Sequence, residues 1–140
     1  MSVHSETIAL NTRGHADVLD ITDAVRGVIE RGSLRSGIVS IFTASSTSAL
    51  TTIEYESGCI ADLRRLLDEI APADRAYAHN ARWGDGNGHA HLRAALVGPS
   101  LTVPFMEGQL TLGTWQQIIF IDFDNRPRSR ELVVQLVGES

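Results

Sequence analysis

Residues 116–137 read QQIIFIDFDNRPRSRELVVQLV, and this stretch decides the fold class. In Gln116–Phe123 apolar side chains occupy both alternating sets of positions: Ile118 and Phe120 in one, Ile119, Ile121 and Phe123 in the other. Successive residues of a strand point to opposite faces of its sheet, so this strand is expected to be covered on both faces. A second β-rich run follows at Arg128–Val137. The turn sequence Asp124–Pro127 between the two runs predicts a β-hairpin.

Working outward, the same reasoning predicts strands and helices along the rest of the chain. The strands are Thr7–Asn11, either two strands or one broken strand within 38–54, Leu101–Phe105 and Gln109–Leu112. The helices are Thr22–Arg31, capped by Thr22, a helix capped by Ser57 that runs to Ile70, and a helix over 88–97 that Gly98 and Pro99 stop. This order predicts a single α+β domain over residues 1–140, with mainly antiparallel β-sheets and helices packed on them.

Composition narrows the class of protein. The chain has 140 residues, of which 43% are hydrophobic, enough for one proper core. All 12 basic residues are arginines, but the net charge of −5 argues against a nucleic-acid surface. A lone cysteine excludes an internal disulfide and fits a reducing cytosol. No apolar run has the length of a signal peptide core or a membrane span, so we expect a cytoplasmic protein without a membrane partner.

The segment Tyr77–Leu96, YAHNARWGDGNGHAHLRAAL, carries three of the five histidines beside a glycine-rich turn. Read as a helix that begins after Asn87, it places His89 and His91 about 200° apart, on opposite borders of an apolar arc. The arc consists of Leu92, Ala95 and Leu96. Read as a strand, the segment would direct both imidazoles to one face, where they could bind one ion. The N-cap and stop signals favour the helix.

The start of this helix also suggests an anion site. Asn87 and Gly88 would present free backbone N–H groups at the positive end of the helix dipole, which favours phosphate or carboxylate ligands. Arg128 and Arg130 share one face of their strand and can hold a phosphate in bidentate fashion. The alternatives are an ordinary turn and cap at Asn87, and a subunit contact or a solvated strand end at the two arginines.

Several short motifs, in this order, resemble the YjbQ-like family, also called the secondary thiamine-phosphate synthase family. They are ALTTIE (49–54), IAP (70–72), YAH (77–79), NGHAHLRAALVGPSLTVP (87–104), LTLGTWQ (110–116) and RPRSR (126–130). The resemblance covers the chain from about Gly37 to Val137. It implies an α+β domain that assembles as a homotrimer, with a weak thiamine-phosphate synthase activity attributed to some members.

The resemblance also implies a pocket whose polar residues are histidines and a glutamate. The matching positions are Glu54, His79 and His91 for the catalytic residues, with Trp115 and Gln116 as further ligand-binding residues. One motif departs from the family pattern. Where the family has a histidine followed by two threonines, this chain reads Ser45-Ser46-Thr47, so one imidazole is missing.

A catalytic zinc site needs about three protein ligands and one open position. His79 and His91 can supply two, and either Glu54 or His89 can supply the third. Because the imidazole expected at Ser45 is missing, we predict a weakly bound divalent metal such as zinc, with an anion near Gly88 as its replacement. The structural alternative is that the histidines cap and pack around the glycine-rich loop.

Two classes of function remain open at this stage. One is an enzyme, a transferase of the thiamine-phosphate synthase type that acts on phosphorylated small molecules. The other is a trimeric, non-catalytic protein that binds or senses a small anionic metabolite. Turnover with a retained metal would favour the first class, and binding without turnover the second.

Overall fold

The computed structural model describes all 140 residues, Met1–Ser140. Its strands are β1 (Ser2–Thr12), β2 (Asp17–Asp20), β3 (Ser36–Thr43), β4 (Ser48–Ile53), β5 (Ser100–Met106), β6 (Gln109–Leu110), β7 (Gln117–Asp122) and β8 (Arg128–Glu139). Its helices are α1 (Thr22–Gly32), α2 (Ser57–Ile70), α3 (Ala78–Trp83) and α4 (Gly88–Val97). None of these helices has the length and apolar character needed to cross a membrane.

The strands form two sheets. The larger has five strands in the order β1-β8-β3-β5-β6, and the smaller has three in the order β2-β7-β4. Every strand pair is antiparallel. The predicted α+β class with mainly antiparallel sheets is therefore confirmed.

Strand β7 lies between two hydrophobic clusters, as its composition predicted. Ile118 and Phe120 belong to the cluster shared with α1 and the inner face of the five-stranded sheet. Ile119 and Ile121 belong to the cluster on the opposite face, shared with α2 and α4. All four side chains are fully buried, so the prediction of a strand covered on both faces is confirmed. The three-stranded sheet is thus the middle layer of the fold.

The predicted hairpin at Asp124–Pro127 is wrong, because β7 and β8 belong to different sheets. Strand β7 pairs with β2 and β4, whereas β8 pairs with β1 and β3. Each of the two strands is therefore already paired with another strand on both of its edges. The turn residues form a crossover between the sheets instead, and the N–H of Phe123 donates to the carbonyl of Thr47 at 2.9 Å. Turn chemistry signals a change of direction and does not select the partner strand.

Two helix caps differ from the sequence prediction by one or two residues. Thr22 is the first residue of α1, and the Asp20 carboxylate accepts from its N–H and hydroxyl. At α2 the cap is Glu56 and not Ser57, since the Glu56 carboxylate accepts from the N–H groups of Gly58 and Cys59. These bonds lower the pKa of Glu56. An anionic cap suits the positive end of the helix dipole.

Helix α4 runs from Gly88 to Val97 as predicted, but its buried face is not the predicted one. Leu92 and Leu96 are 48% and 67% exposed, whereas the buried positions are those around Ala90 and Ala94. The apolar arc predicted from the leucines is therefore wrong. Small side chains on the inner face allow α4 to lie close to β4. The larger leucines point to solvent as a consequence.

Candidate functional site

Some of the polar side chains singled out by the sequence, namely His79, Asn87, His91, Arg128 and Arg130, lie where α3, α4 and two loops converge. The loops are residues 44–47, between β3 and β4, and residues 123–127, between β7 and β8. Helix α3, which the sequence reading missed, carries His79, and α4 carries His91. A side chain at Gly88 would come within 2.6 Å of Cβ of Tyr77, so glycine permits this close approach of the two helices.

His79, Asp85 and His91 form a compact group of possible metal ligands. One ligand atom from each lies within 4.8 Å of the other two. Nδ1 of His79 is 3.3 Å from Oδ1 of Asp85, yet this nitrogen has no hydrogen-bond partner. Ligands bound to one tetrahedral zinc at about 2.0–2.1 Å are separated by about 3.3 Å. This nitrogen and oxygen are therefore spaced as two ligands of one cation would be.

The ring of His91 is fixed in one orientation by the backbone. Its Nδ1 lies 3.1 Å from the carbonyl oxygen of Ser46. A carbonyl oxygen only accepts, so Nδ1 carries the proton and Nε2 is left with a free lone pair. Metal-binding histidines commonly donate their second ring N–H to a carbonyl in this way. The rings of His79 and His91 are tilted by 49°, with their centroids 4.4 Å apart.

Two buried aspartates hold the arginines of β8 beside this group. Asp122 is fully buried and accepts from Nε and Nη2 of Arg130 at 2.8 and 3.0 Å, and from the Thr12 hydroxyl at 2.7 Å. Asp124, which is 1% exposed, pairs with Nη2 of Arg128 at 3.0 Å. The two guanidinium groups are therefore fixed before any ligand binds, which lowers the entropic cost of holding an anion.

Burial raises the pKa of Asp124, but hydrogen bonds from Arg128, Asn87 and Thr47 outweigh it and leave the pKa below its usual value. Asp124 is consequently ionised near neutral pH. Its negative charge compensates the positive charge of one arginine. This compensation limits the attraction of the cavity for a free anion.

An open cavity of about 370 Å³ lies beside these side chains. Its lining consists of Ala44, Ser45, Ser46, Thr47, Asp85, Asn87, His91, Asp124, Arg128 and Arg130. Nε of Arg128 is buried and has no partner in the protein. A buried donor without an acceptor costs about 1–3 kcal/mol, so this nitrogen destabilises the folded state slightly.

The structure places His89 away from the metal-ligand group. It is 5% exposed and is not among the three clustered ligands. Burial lowers its pKa, and the nearby positive charge of Arg93 lowers it further. His89 is therefore neutral near pH 7 and lies on the buried side of α4. The third possible ligand beside His79 and His91 is Asp85.

The backbone at the start of α4 is already used by the protein. The N–H of Gly88 donates to the side-chain oxygen of Asn80 at 2.8 Å. Asn87 occupies the N-cap position, but its side chain bonds to Asp124 and to the N–H of Asn125 and not to the helix. The predicted anion at Gly88 therefore lacks the Gly88 N–H as a free donor, whereas Arg128 and Arg130 line the cavity itself.

Glu54, Trp115 and Gln116 lie at the opposite end of the β4–β7 pair. Ser48 pairs with Asp122 at one end, and Ile53 pairs with Gln117 at the other. The intervening six-residue strand spans about 20 Å. Within one chain the structure therefore does not bring Glu54 to His79 and His91.

The surroundings of Trp115 and Gln116 are open. Trp115 is 72% exposed and lies in the loop that precedes β7. The Gln116 side chain donates to the hydroxyl of Thr52 and accepts from the N–H of Gly113.

Asp85, Asp122 and Asp124 are functional candidates that the sequence reading did not single out. A signal for two of them was present, because Asp122 and Asp124 lie in and directly after a strand expected to be buried on both faces. A buried carboxylate needs a partner, and Arg128 and Arg130 repeat the same spacing of two residues. No comparable signal marked Asp85, which reads as a turn residue.

Comparisons with known proteins agree with this fold over nearly the whole chain. A family model described as UPF0047 protein YjbQ-like matches residues 6–139. A UPF0047 protein from Methanothermobacter thermautotrophicus is 40% identical, with 99% of this chain and 95% of the relative covered. A UPF0047 protein from Archaeoglobus fulgidus is 38% identical, with 91% and 97% covered.

Solved structures give the same result. A crystal structure of a YbjQ-like protein of unknown function from Sulfolobus solfataricus superimposes with a TM-score of 0.94 at 34% identity, covering 99% of both chains. A hypothetical protein from Aeropyrum pernix gives a TM-score of 0.90 at 28% identity, with 97% of this chain and 99% of that protein covered.

Proposed function

This chain belongs to the UPF0047 protein YjbQ-like family, and on that premise we propose that it binds a small phosphorylated molecule in a metal-dependent pocket. The observation that carries the proposal is the group of His79, Asp85 and His91 next to Arg128 and Arg130. Two imidazoles and a carboxylate are a donor set that zinc accepts. Paired arginines are the usual protein partners of phosphate oxygens.

The charges of the cavity explain why binding of the anionic ligand would depend on binding of the cation. The positive charges of Arg128 and Arg130 are matched by Asp122 and Asp124, and Asp85 adds one more negative charge. Without a cation the site is therefore net negative when its histidines are neutral. A bound divalent cation would supply positive charge and Lewis-acid polarisation of a phosphoryl oxygen. An anionic ligand is then favoured.

The roles of the protein groups follow from their positions. His79, Asp85 and His91 would hold the cation, and the Ser46 carbonyl would keep His91 in the required tautomer. Arg128, which lines the cavity, would donate from its guanidinium group to a ligand oxygen. These bonds would orient the ligand against α4.

Calorimetric titration tests the proposal. We expect zinc to bind the unaltered protein, and His91→Ala to weaken zinc binding at least tenfold because one of three ligands is lost. Inorganic phosphate should bind at least tenfold more tightly with zinc than with chelator. His4→Ala is a matched control, because His4 pairs with Glu6 outside the site. Equal zinc affinity in His91→Ala and the unaltered protein would contradict the proposal.

The reaction implied by the family resemblance, thiamine-phosphate synthesis, is a second candidate. It is supported by the two fixed arginines, which could hold the phosphate or diphosphate groups of its substrates. Incubation with a phosphorylated thiazole and a pyrimidine diphosphate ester should give thiamine phosphate and pyrophosphate, and His91→Ala should abolish both. Binding of phosphate without any turnover would favour the sensing role instead.

We also propose a homotrimer. The outer face of the five-stranded sheet carries exposed apolar side chains on adjacent strands, where Val3 and Ile38 flank Val137, and Phe42 adjoins Val133. Such a face is commonly covered by another subunit. Sedimentation should give about three times the chain mass of 15.2 kDa. A monomer at micromolar concentration would contradict this proposal.

A further inference from the structure

A second cavity opens beside the polar one. It measures about 280 Å³ and is lined by Ser45, Ser46, Ser48, His91, Ala94, Ala95 and Pro99. Ser45, Ser46 and His91 line both cavities. The two spaces therefore adjoin at the imidazole of His91, and one ligand can extend from one into the other.

The second cavity is mainly apolar, whereas the first is lined by charged side chains. Its exposed lining is mostly apolar, from the methyl groups of Ala94 and Ala95 and the ring of Pro99. The hydroxyl of Ser48 already bonds to that of Thr43 at 2.9 Å. No arginine or carboxylate reaches it. Such a surface gains free energy from covering apolar area and offers no charge for a second anionic group.

The size of the cavity sets the size of the group it accepts. An enclosed apolar cavity of about 150 Å³ holds a benzene ring, so 280 Å³ is sufficient for a ring or a short aliphatic chain. The side chain at position 45 is small, and its Oγ accepts from the N–H of Thr47 at 3.2 Å. That bond holds the serine within its own loop, and a larger side chain at this position would narrow the passage.

We propose that the cavity formed by Ala94, Ala95 and Pro99 binds the apolar part of the same ligand whose phosphate lies between the metal ligands and Arg128. This inference rests on the proposed function and specifies its ligand. The ligand is a phosphate monoester with a compact apolar ester group. Inorganic phosphate fills only the polar cavity.

Phenyl phosphate and inorganic phosphate, titrated in the presence of zinc, test the inference. The unaltered protein should bind phenyl phosphate at least tenfold more tightly than phosphate. Ala95→Phe fills the cavity from an exposed helix position and should bring the ratio of the two dissociation constants close to one. Ala61→Phe, at an exposed position of α2 outside both cavities, is the matched control and should keep the ratio.

The outcomes separate the two levels of the proposal. Absence of phosphate binding with zinc overturns the proposed function and this subsite with it. Equal affinities for the two probes in the unaltered protein overturn the subsite alone. So does a preference for phenyl phosphate that survives in Ala95→Phe. If circular dichroism shows that Ala95→Phe does not fold, Ala95→Leu should lower the preference, and a preference that stays unchanged also overturns the subsite.

Discussion

The two ends of the β4–β7 strand pair differ in how their polar side chains are held. At the end near Ser48 and Asp122, buried carboxylates hold two arginines, and three possible metal ligands lie close together. At the end near Ile53 and Gln117, the side chains of Glu54, Trp115 and Gln116 are exposed. We call these the histidine end and the glutamate end.

Residues matched to one family pocket therefore need not meet within one chain. The resemblance placed Glu54 with His79 and His91, but a strand of six residues separates the two ends. Only a neighbouring subunit could bring a glutamate end to a histidine end.

The largest expected effect is on stability at the histidine end. Asp122→Asn removes the charge that pairs with Arg130 in a fully buried position, and breaking such a pair costs about 3–5 kcal/mol. Gln116→Ala at the glutamate end should cost less than about 0.5 kcal/mol, because it removes only exposed hydrogen bonds. Urea denaturation measures both. A loss in Asp122→Asn no larger than in Gln116→Ala would show that the network is not stabilising.

Zinc affinity should distinguish the two ends next. Asp85→Asn removes a charged ligand and should weaken zinc binding about tenfold or more. Glu54→Gln should change it less than twofold, since Glu54 is distant within the chain. Calorimetry on both variants gives the comparison. A comparable loss in Glu54→Gln would join the two ends across a subunit interface and restore the predicted three-residue pocket.

The pH dependence of stability should reveal the buried neutral imidazole of His89. Burial lowers its pKa in the folded state, so below the ordinary value of about 6.5 the unfolded chain binds a proton that the folded chain does not. The stability contribution is thus present above about pH 6.5 and is lost as the pH falls towards the lowered pKa.

The melting temperature, measured in chelator, should therefore fall between pH 7.5 and 5.5, and His89→Gln should reduce the fall. His4→Ala serves as a control at a surface histidine. An unchanged pH profile in His89→Gln would show that His89 does not titrate as its burial implies.

The smallest expected effect is spectroscopic and uses one tryptophan near each end. Trp83 is the last residue of α3, the helix that carries His79, and Trp115 precedes β7. Zinc should alter the fluorescence of Trp115→Phe, which retains Trp83, by a few per cent at least. Zinc should leave the fluorescence of Trp83→Phe, which retains Trp115, unchanged. A response in both variants would indicate that the two ends are coupled.

Much of the fold could be predicted because hydrophobic periodicity is a local property of the sequence. The double-sided apolar pattern of Gln116–Phe123 identified a fully covered strand, and cap and stop signals located α4 to the residue. Helix α3 was missed because its six residues are too few to show a period. The short strand β2 was missed for the same reason.

The histidines and arginines of the candidate site were identified from the sequence, but their grouping was not. Asp85 replaces His89 as the third residue beside His79 and His91, because α4 turns His89 into the interior. A loop residue of ordinary turn chemistry carries no sign of this role. Its position depends on how α3 packs against Gly88.

Local sequence patterns were sufficient to predict the covered strand, the α+β class and the residue types available for cation and anion binding. These follow from side-chain alternation, turn chemistry and the ionisable groups present. Three features depend on long-range packing: Asp124–Pro127 crosses between the sheets, Ala90 and Ala94 face inward, and Glu54 lies far from His79. The physical reason is that strand pairing and helix packing are set by distant partners that compete for the same edges and faces, which no local pattern specifies.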